Sequence, residues 1–330
     1  MRRRLFAPLL ALPLLLAAAP APPPAGAPVL DFPLACELGR TCFVQRYLDR
    51  DPGPGARDYT CGTDTQDGHN GTDIRLRDFA DMRRGVAVLA MASGRVARTR
   101  DGEPDVSVRE RGLQNLDGRN CGNAVVIDHG NGWESQYCHM ARGSVAVKPG
   151  EVVRAGQPIG RVGLSGETEF PHLHIGLSHA GAAVDPFAPG PGGTPPGACG
   201  SGASLWRHTP PYLTRVVINT GFADRAVDMP AIEAGDIAPP TPAAPILAAY
   251  ARLIDLKRGD RLSLTLMAPG GQVLAPAAEP PLAHDEQIAY LLAGKRRPPS
   301  GWPRGVYRAV LKVEPANGAP PTTRAWEVTL

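Results

Sequence analysis

A mainly β chain, with an antiparallel β unit followed by a small β-sandwich, is predicted by three features. These are short runs of alternating apolar and polar residues, dense Gly and Pro punctuation, and few stretches with helical periodicity. The 38 Gly and 36 Pro among 330 residues follow no repeat, which favours turns and stiff joints over long helices and excludes a collagen-like rod. With 43% hydrophobic and 20% charged residues the chain is globular, and its length suits about two domains. The formal charge is +3, and Arg2, Arg3 and Arg4 account for it. The remainder is balanced and carries no concentrated basic footprint, so no nucleic-acid partner is expected.

The first element is that basic end. Arg2 to Arg4 precede an apolar run from Leu5 to Ala19 and then small residues, the order of an export signal over 1–21, with the cut falling there or as late as 27. The run contains Pro8 and Pro13 and falls short of the roughly 20 apolar residues a membrane span needs, so no span is expected in the mature chain. Export to the periplasm or beyond places Cys36, Cys42, Cys61, Cys121, Cys138 and Cys199 in an oxidising compartment, where disulfides are favoured over thiols. Residues 28–67 form an extension with three of these cysteines. Cys121 and Cys138 flank two strand-like runs joined by His129-Gly130-Asn131-Gly132, which sets them opposite each other across a hairpin.

Residues 68–187 form the next unit. Strands are expected at Asn123 to Asp128, Ser135 to Cys138, Val152-Val153, Pro158 to Val162 and Leu173 to Leu177. A long polar insertion between Ala97 and Gly122 interrupts them, and insertions of this kind often wall a site. Pro186 to Gly202 cannot hold a helix or a central strand and marks a linker at 188–203. In 204–330, Leu213 to Ile218, Leu262 to Leu266 and Tyr307 to Val313 alternate, as in a small immunoglobulin-like sandwich. Asp285 to Ala293 and Ala243 to Asp255 read as helices.

Residues with chemical potential cluster before the linker. His69 and Asp73 stand four apart with Gly71 between them, a spacing that suggests a tight bend aiming both at one point. His172 and His174 flank Leu173, and in a strand residues two apart share a face. Two imidazoles and a carboxylate hold zinc well and leave a fourth position for water. His129 reads as a structural turn residue, and His179, His208 and His284 as solvated side chains.

His69-Asn70-Gly71-Thr72-Asp73, Tyr137-Cys138-His139, Val147-Lys148-Pro149-Gly150, Ala155 to Gly160 and Pro171-His172-Leu173-His174, in this order, resemble the lysostaphin and LytM type of zinc endopeptidases. The similarity runs from about Gly68 to Pro186, roughly a third of the chain. It implies a LytM-type antiparallel β catalytic domain that cleaves peptide cross-links in peptidoglycan stems. It also implies one zinc ion per chain on His69, Asp73 and His174, with His139 and His172 as metal-free catalytic histidines. Zinc would polarise the scissile carbonyl and activate water, and the two histidines suit proton transfer and oxyanion stabilisation. The alternatives are a noncatalytic relative that regulates another hydrolase as its protein partner, and a wall-binding protein. The chain departs from the family at Phe170, where Gly is usual, and at Ile175-Gly176, where an aromatic-acidic pair is usual. Deleting the 97–122 insertion should alter cleavage rate or product pattern in a muropeptide digest; an unchanged digest would mean that it does not wall the cleft.

Overall fold

The computed structural model describes residues 24–190, 200 and 202–330. The expected export signal at 1–21 lies outside them, as does most of the Gly/Pro-rich joint. The first half contains β1 (Cys42–Arg46), β2 (Thr72–Leu76), α1 (Phe79–Arg84), β3 (Ala87–Leu89), β4 (Gly94–Arg100), α2 (Val108–Arg111), β5 (Asn123–Gly130), β6 (Trp133–Met140), β7 (Val152–Val153), β8 (Pro158–Arg161), β9 (His172–His179) and β10 (Ala182–Ala183). Its main antiparallel sheet runs β1-β2-β9-β6-β5-β4-β7, with β10 added to β9 and β3 paired separately with β8. The hairpin from β5 to β6 turns through Gly130, Asn131 and Gly132, all at positive φ, as the expected turn requires. Ile74, Val125, Ile127, Trp133, Tyr137 and Leu173 fill the core on one face of this sheet.

The cysteine-containing extension is knitted into this half. β1 pairs with β2 at the sheet edge, and Leu30 exchanges backbone hydrogen bonds with Leu205 and Arg207 at 2.9 and 2.8 Å. Cys36 is bonded to Cys42 and Cys121 to Cys138, the latter as the hairpin geometry implied. Cys61 is also disulfide-bonded.

The second half comprises β11 (Val216–Ala223), α3 (Met229–Ala234), β12 (Ile246–Leu256), β13 (Arg261–Met267), β14 (Val273–Ala278), β15 (Glu286–Arg296), β16 (Val306–Glu314) and β17 (Thr322–Thr329). Two antiparallel sheets, β11-β12-β15 and β14-β13-β16-β17, enclose a common core of Leu253, Leu264, Leu291, Tyr307 and Leu311. Leu262, Leu264 and Leu266 are buried with Ser263 and Thr265 between them less so, the period-two pattern of a strand with one covered face. β14 pairs with β13 rather than joining the sheet of β11 and β12, unlike a constant-type immunoglobulin domain.

Two expectations are corrected here. Ala243 to Asp255 and Asp285 to Ala293 are not helices; they lie largely in β12 and β15, which pair along their length. β12 is covered on both faces, so it reads as a continuous apolar run, and periodicity cannot separate such a strand from a buried helix. In β15 the cross-strand pairing outweighs the helical tendency of an Ala- and Leu-containing segment.

The halves meet over Phe43, Ile218 and Ile254 and through side chains that cross the boundary. Asp64 bonds Lys257, Gln45 donates to the Gln287 carbonyl at 3.1 Å, and Arg83 pairs with Asp236 at 2.7 Å. Within the sandwich the Tyr307 hydroxyl donates to the Pro303 carbonyl at 2.8 Å, tying the start of β16 to the chain before it. Tyr307→Phe should therefore lower stability by about 1 kcal/mol, read as an earlier urea unfolding transition.

Candidate active site

The site is assembled where β2, β9 and β6 lie side by side. Asp73 is paired with His174 across β2 and β9, and Cys138 of β6 faces His174 from the other side. Directly paired residues point to the same face, so the register alone brings the Asp73 carboxylate against the His174 imidazole. His69 enters from the loop before β2. The expectation that His172 and His174 share a face holds, since both lie on β9 and both line the cleft.

Three atoms converge. His69 Nε2 lies 3.1 Å from Asp73 Oδ1 and 3.2 Å from His174 Nδ1, and His174 Nδ1 lies 2.9 Å from the same carboxylate oxygen. His69 Nδ1 is 2.7 Å from the Tyr47 carbonyl, which only accepts, so this nitrogen carries the proton and Nε2 presents its lone pair. Three electron-pair donors thus face one another in a largely buried spot, an arrangement that a shared cation relieves. Tetrahedral zinc with donors at about 2.1 Å would hold them about 3.4 Å apart, so the observed 2.9–3.2 Å would need to open only slightly. Among the described residues this is the one His/Cys/Asp/Glu group compact enough to hold a metal ion, and it fits zinc by donor type and number.

Gly71 has a steric reason. A Cβ there would sit 2.3 Å from the Ile175 carbonyl oxygen and 2.7 Å from the His174 ring. The chain bends at Gly71, as the spacing suggested, and there the loop also makes a close approach to β9.

His139 and His172 stand beside the three. In an unbroken strand His139 would point away from the face that Cys138 shares with His174. Its φ of 60° breaks the alternation, and its ring lies 4.7 Å from that of His172 and 6.1 Å from that of His174. Such a conformation costs a non-glycine residue about 1–3 kcal/mol. It is held by the Cys121–Cys138 disulfide and by a 2.8 Å bond from the His139 amide to the Cys121 carbonyl. His139 Nδ1 donates to the Ser165 carbonyl at 2.8 Å, and His172 Nδ1 to the Phe170 carbonyl at 3.0 Å. Each leaves Nε2 without a proton, and His172 Nε2 is 3.6 Å from Asp73 Oδ1.

Burial governs the charges. It pushes His172 down to about 4, and together with the neighbouring imidazoles of His172 and His174 it pushes His139 well below its ordinary value. Burial opposes charge on Asp73 too, but the imidazoles of His69 and His172 outweigh it and hold the carboxyl well below the usual range.

The cleft encloses about 850 Å³. Val108, Asn120 and Cys121 of the insertion line one wall together with Glu167 to Phe170. The insertion is anchored by the Val108 amide, which donates to Thr168 at 2.9 Å, and by Asp105, which accepts from Arg142 and Leu164. His129 is bonded to Ser93 and Ser135 away from the cluster, as expected of a structural residue. His208 and His284 are exposed, whereas His179 is stacked on Trp133 at 4.5 Å rather than freely solvated. The orienting carbonyls of Tyr47, Ser165 and Phe170 carried no signal in the sequence, because any residue supplies a carbonyl. Arg75, two along β2 from Asp73 and therefore on the same face, was readable from the strand period.

Residues 67–186 match peptidase family M23, the stretch over which the lysostaphin and LytM resemblance runs. The peptidoglycan DD-endopeptidase ShyA of Vibrio cholerae is 42% identical over 64 residues, 19% of this chain and 14% of that protein. The DD-carboxypeptidase/endopeptidase Mpg of Neisseria meningitidis is 45% identical over 67 residues, 20% of this chain and 15% of that protein. The matched stretch thus spans about a seventh of these relatives' length. Among solved structures, the catalytic domain of lysostaphin from Staphylococcus simulans aligns with 43% of this chain and 86% of its own, at 22% identity and a TM-score of 0.28.

Gly71→Ala should weaken zinc binding by about tenfold or more, measured by competition with a chromophoric chelator, because the added methyl displaces the His174 ring.

Proposed function

We propose that the peptidase M23 domain at residues 67–186 makes this chain an exported, zinc-dependent endopeptidase that hydrolyses peptide cross-links of bacterial peptidoglycan. The observation that carries this reading is the convergence of the His69, Asp73 and His174 donor atoms beside two further imidazoles in one open cleft. His69, Asp73 and His174 would hold the metal. When bound, zinc supplies Lewis acidity toward a scissile carbonyl and toward water.

The protein's own groups perform the rest. His172, with Nδ1 committed to the Phe170 carbonyl, has Nε2 free to take a proton from the attacking water and pass it to the leaving amine. His139, with Nδ1 committed to the Ser165 carbonyl, faces the same cleft with an unprotonated Nε2, which would accept a hydrogen bond from the attacking water and could donate to the oxyanion only after taking up a proton. Imidazoles that rest neutral with Nε2 free suit these tasks, since each must accept a proton before it can donate one. Val108 and the Glu167 to Phe170 wall would hold an extended peptide against the sheet face that carries the site. Export is supported by the disulfides, which persist in oxidising compartments. No helix among the described residues is long and apolar enough to cross a membrane.

Incubation with purified sacculi should release soluble muropeptides, stop with a chelator and resume with added zinc. His172→Ala should abolish release while zinc stays near one per chain, and His69→Ala should lose both. Loss of metal from His172→Ala would make that residue a ligand, and intact sacculi with zinc-loaded wild type would overturn the hydrolase reading.

A further inference from the structure

Arg75 connects the cleft to the second half of the molecule. It is paired with His172 across β2 and β9, and its guanidinium is fully buried on the face that carries the site. It donates to Gln45 Oε1 at 2.9 Å and to Glu233 Oε1 at 2.9 Å, and the Phe170 ring lies 4.6 Å from its central carbon. Phe170 in turn packs against the His172 ring at 4.7 Å, and its carbonyl accepts the His172 Nδ1 proton. The bulk that replaces the usual Gly before Pro171 is therefore a shelf between a buried cation and the imidazole.

Glu233 belongs to α3, which Asp228 caps through the Ala231 amide at 3.0 Å and Gly235 ends at a φ of 76°. Its carboxylate also pairs with Arg252 of β12 at 3.0 Å, and Arg252 is fully buried and donates to the Arg77 carbonyl. One carboxylate from the second half thus bridges two buried guanidiniums. Burial, with the neighbouring Arg252 charge, lowers Arg75 to about 10, so it remains a cation at neutral pH. Without Glu233 the two cations would repel at short range in a medium that screens poorly, and Arg75 would leave its place under Phe170.

We propose that Glu233 is a positioning residue for His172, acting through Arg75 and Phe170, so that the C-terminal sandwich is a working part of the cleft and not a tether. The inference rests on the role proposed above for His172. In the full-length, zinc-loaded protein, Glu233→Gln should lower kcat on a cross-linked muropeptide by about tenfold or more while KM moves less than about twofold. Zinc should stay near one per chain. Phe170→Ala should produce the same loss, and the double variant no more than either alone. Nitrogen-15 NMR gives a readout independent of turnover. The His172 Nδ1–H signal, protected from exchange by the Phe170 carbonyl, should become fast-exchanging in Glu233→Gln. Arg75→Lys, which keeps the charge and loses the planar fork, should do the same and serves if Glu233→Gln does not fold. An unchanged His172 signal, or additive losses in the double variant, would overturn the proposal. A wild type inert on muropeptide whose His172 signal still responds to Glu233→Gln would overturn the peptidase reading and leave the contact standing.

Discussion

Three lone pairs held within about one van der Waals contact of each other are the constraint around which the first half is built. Left alone, His69, Asp73 and His174 would separate or gather protons, and the fold permits little separation. Asp73 and His174 are locked by the register of β2 and β9, His69 is turned inward by the Tyr47 carbonyl, and the loop between them approaches so closely that only glycine fits at position 71. Two backbone carbonyls then orient His139 and His172, each fixing which ring nitrogen is free. The site is therefore specified by main-chain geometry as much as by side-chain identity.

That division explains what could be read in advance. Four of the side chains that meet in the cleft were recognisable from His69-x-Gly71-x-Asp73, as a bend, and from His172-x-His174, where spacing on a strand translates directly into a shared face; His139 came only from the family resemblance. The Cys121–Cys138 bond followed from hairpin geometry. The carbonyls of Tyr47, Ser165 and Phe170 left no trace, and neither did the positive φ of His139, which depends on a disulfide to the preceding residue and on a hydrogen bond from the His139 amide to the Cys121 carbonyl. β12 and β15 were misread for a related reason. Their strand character comes from each other and from cover on both faces, and no window of sequence contains either.

The boundary between the halves is unusually rich in buried charge. Arg75, Arg252 and Asp255 are all nearly inaccessible, and Asp255 is held well above the ordinary carboxylate range by burial and by the nearby Asp64. Such groups are costly to bury without mutual compensation, so the two halves are coupled electrostatically as well as by the Phe43, Ile218 and Ile254 contact. A loose spacer would show the reverse, a polar and hydrated seam.

The edge strand β1 and the Tyr47 carbonyl lie upstream of the residues that match the family, yet one completes the sheet beside β2 and the other orients a proposed ligand. What evolution passes on as a recognisable module and what the polypeptide needs as a cooperative folding unit are therefore of different size here. A fragment cut at the edges of the module would start life with an unpaired strand border and an untethered imidazole, and its failings would belong to the scissors rather than to the protein.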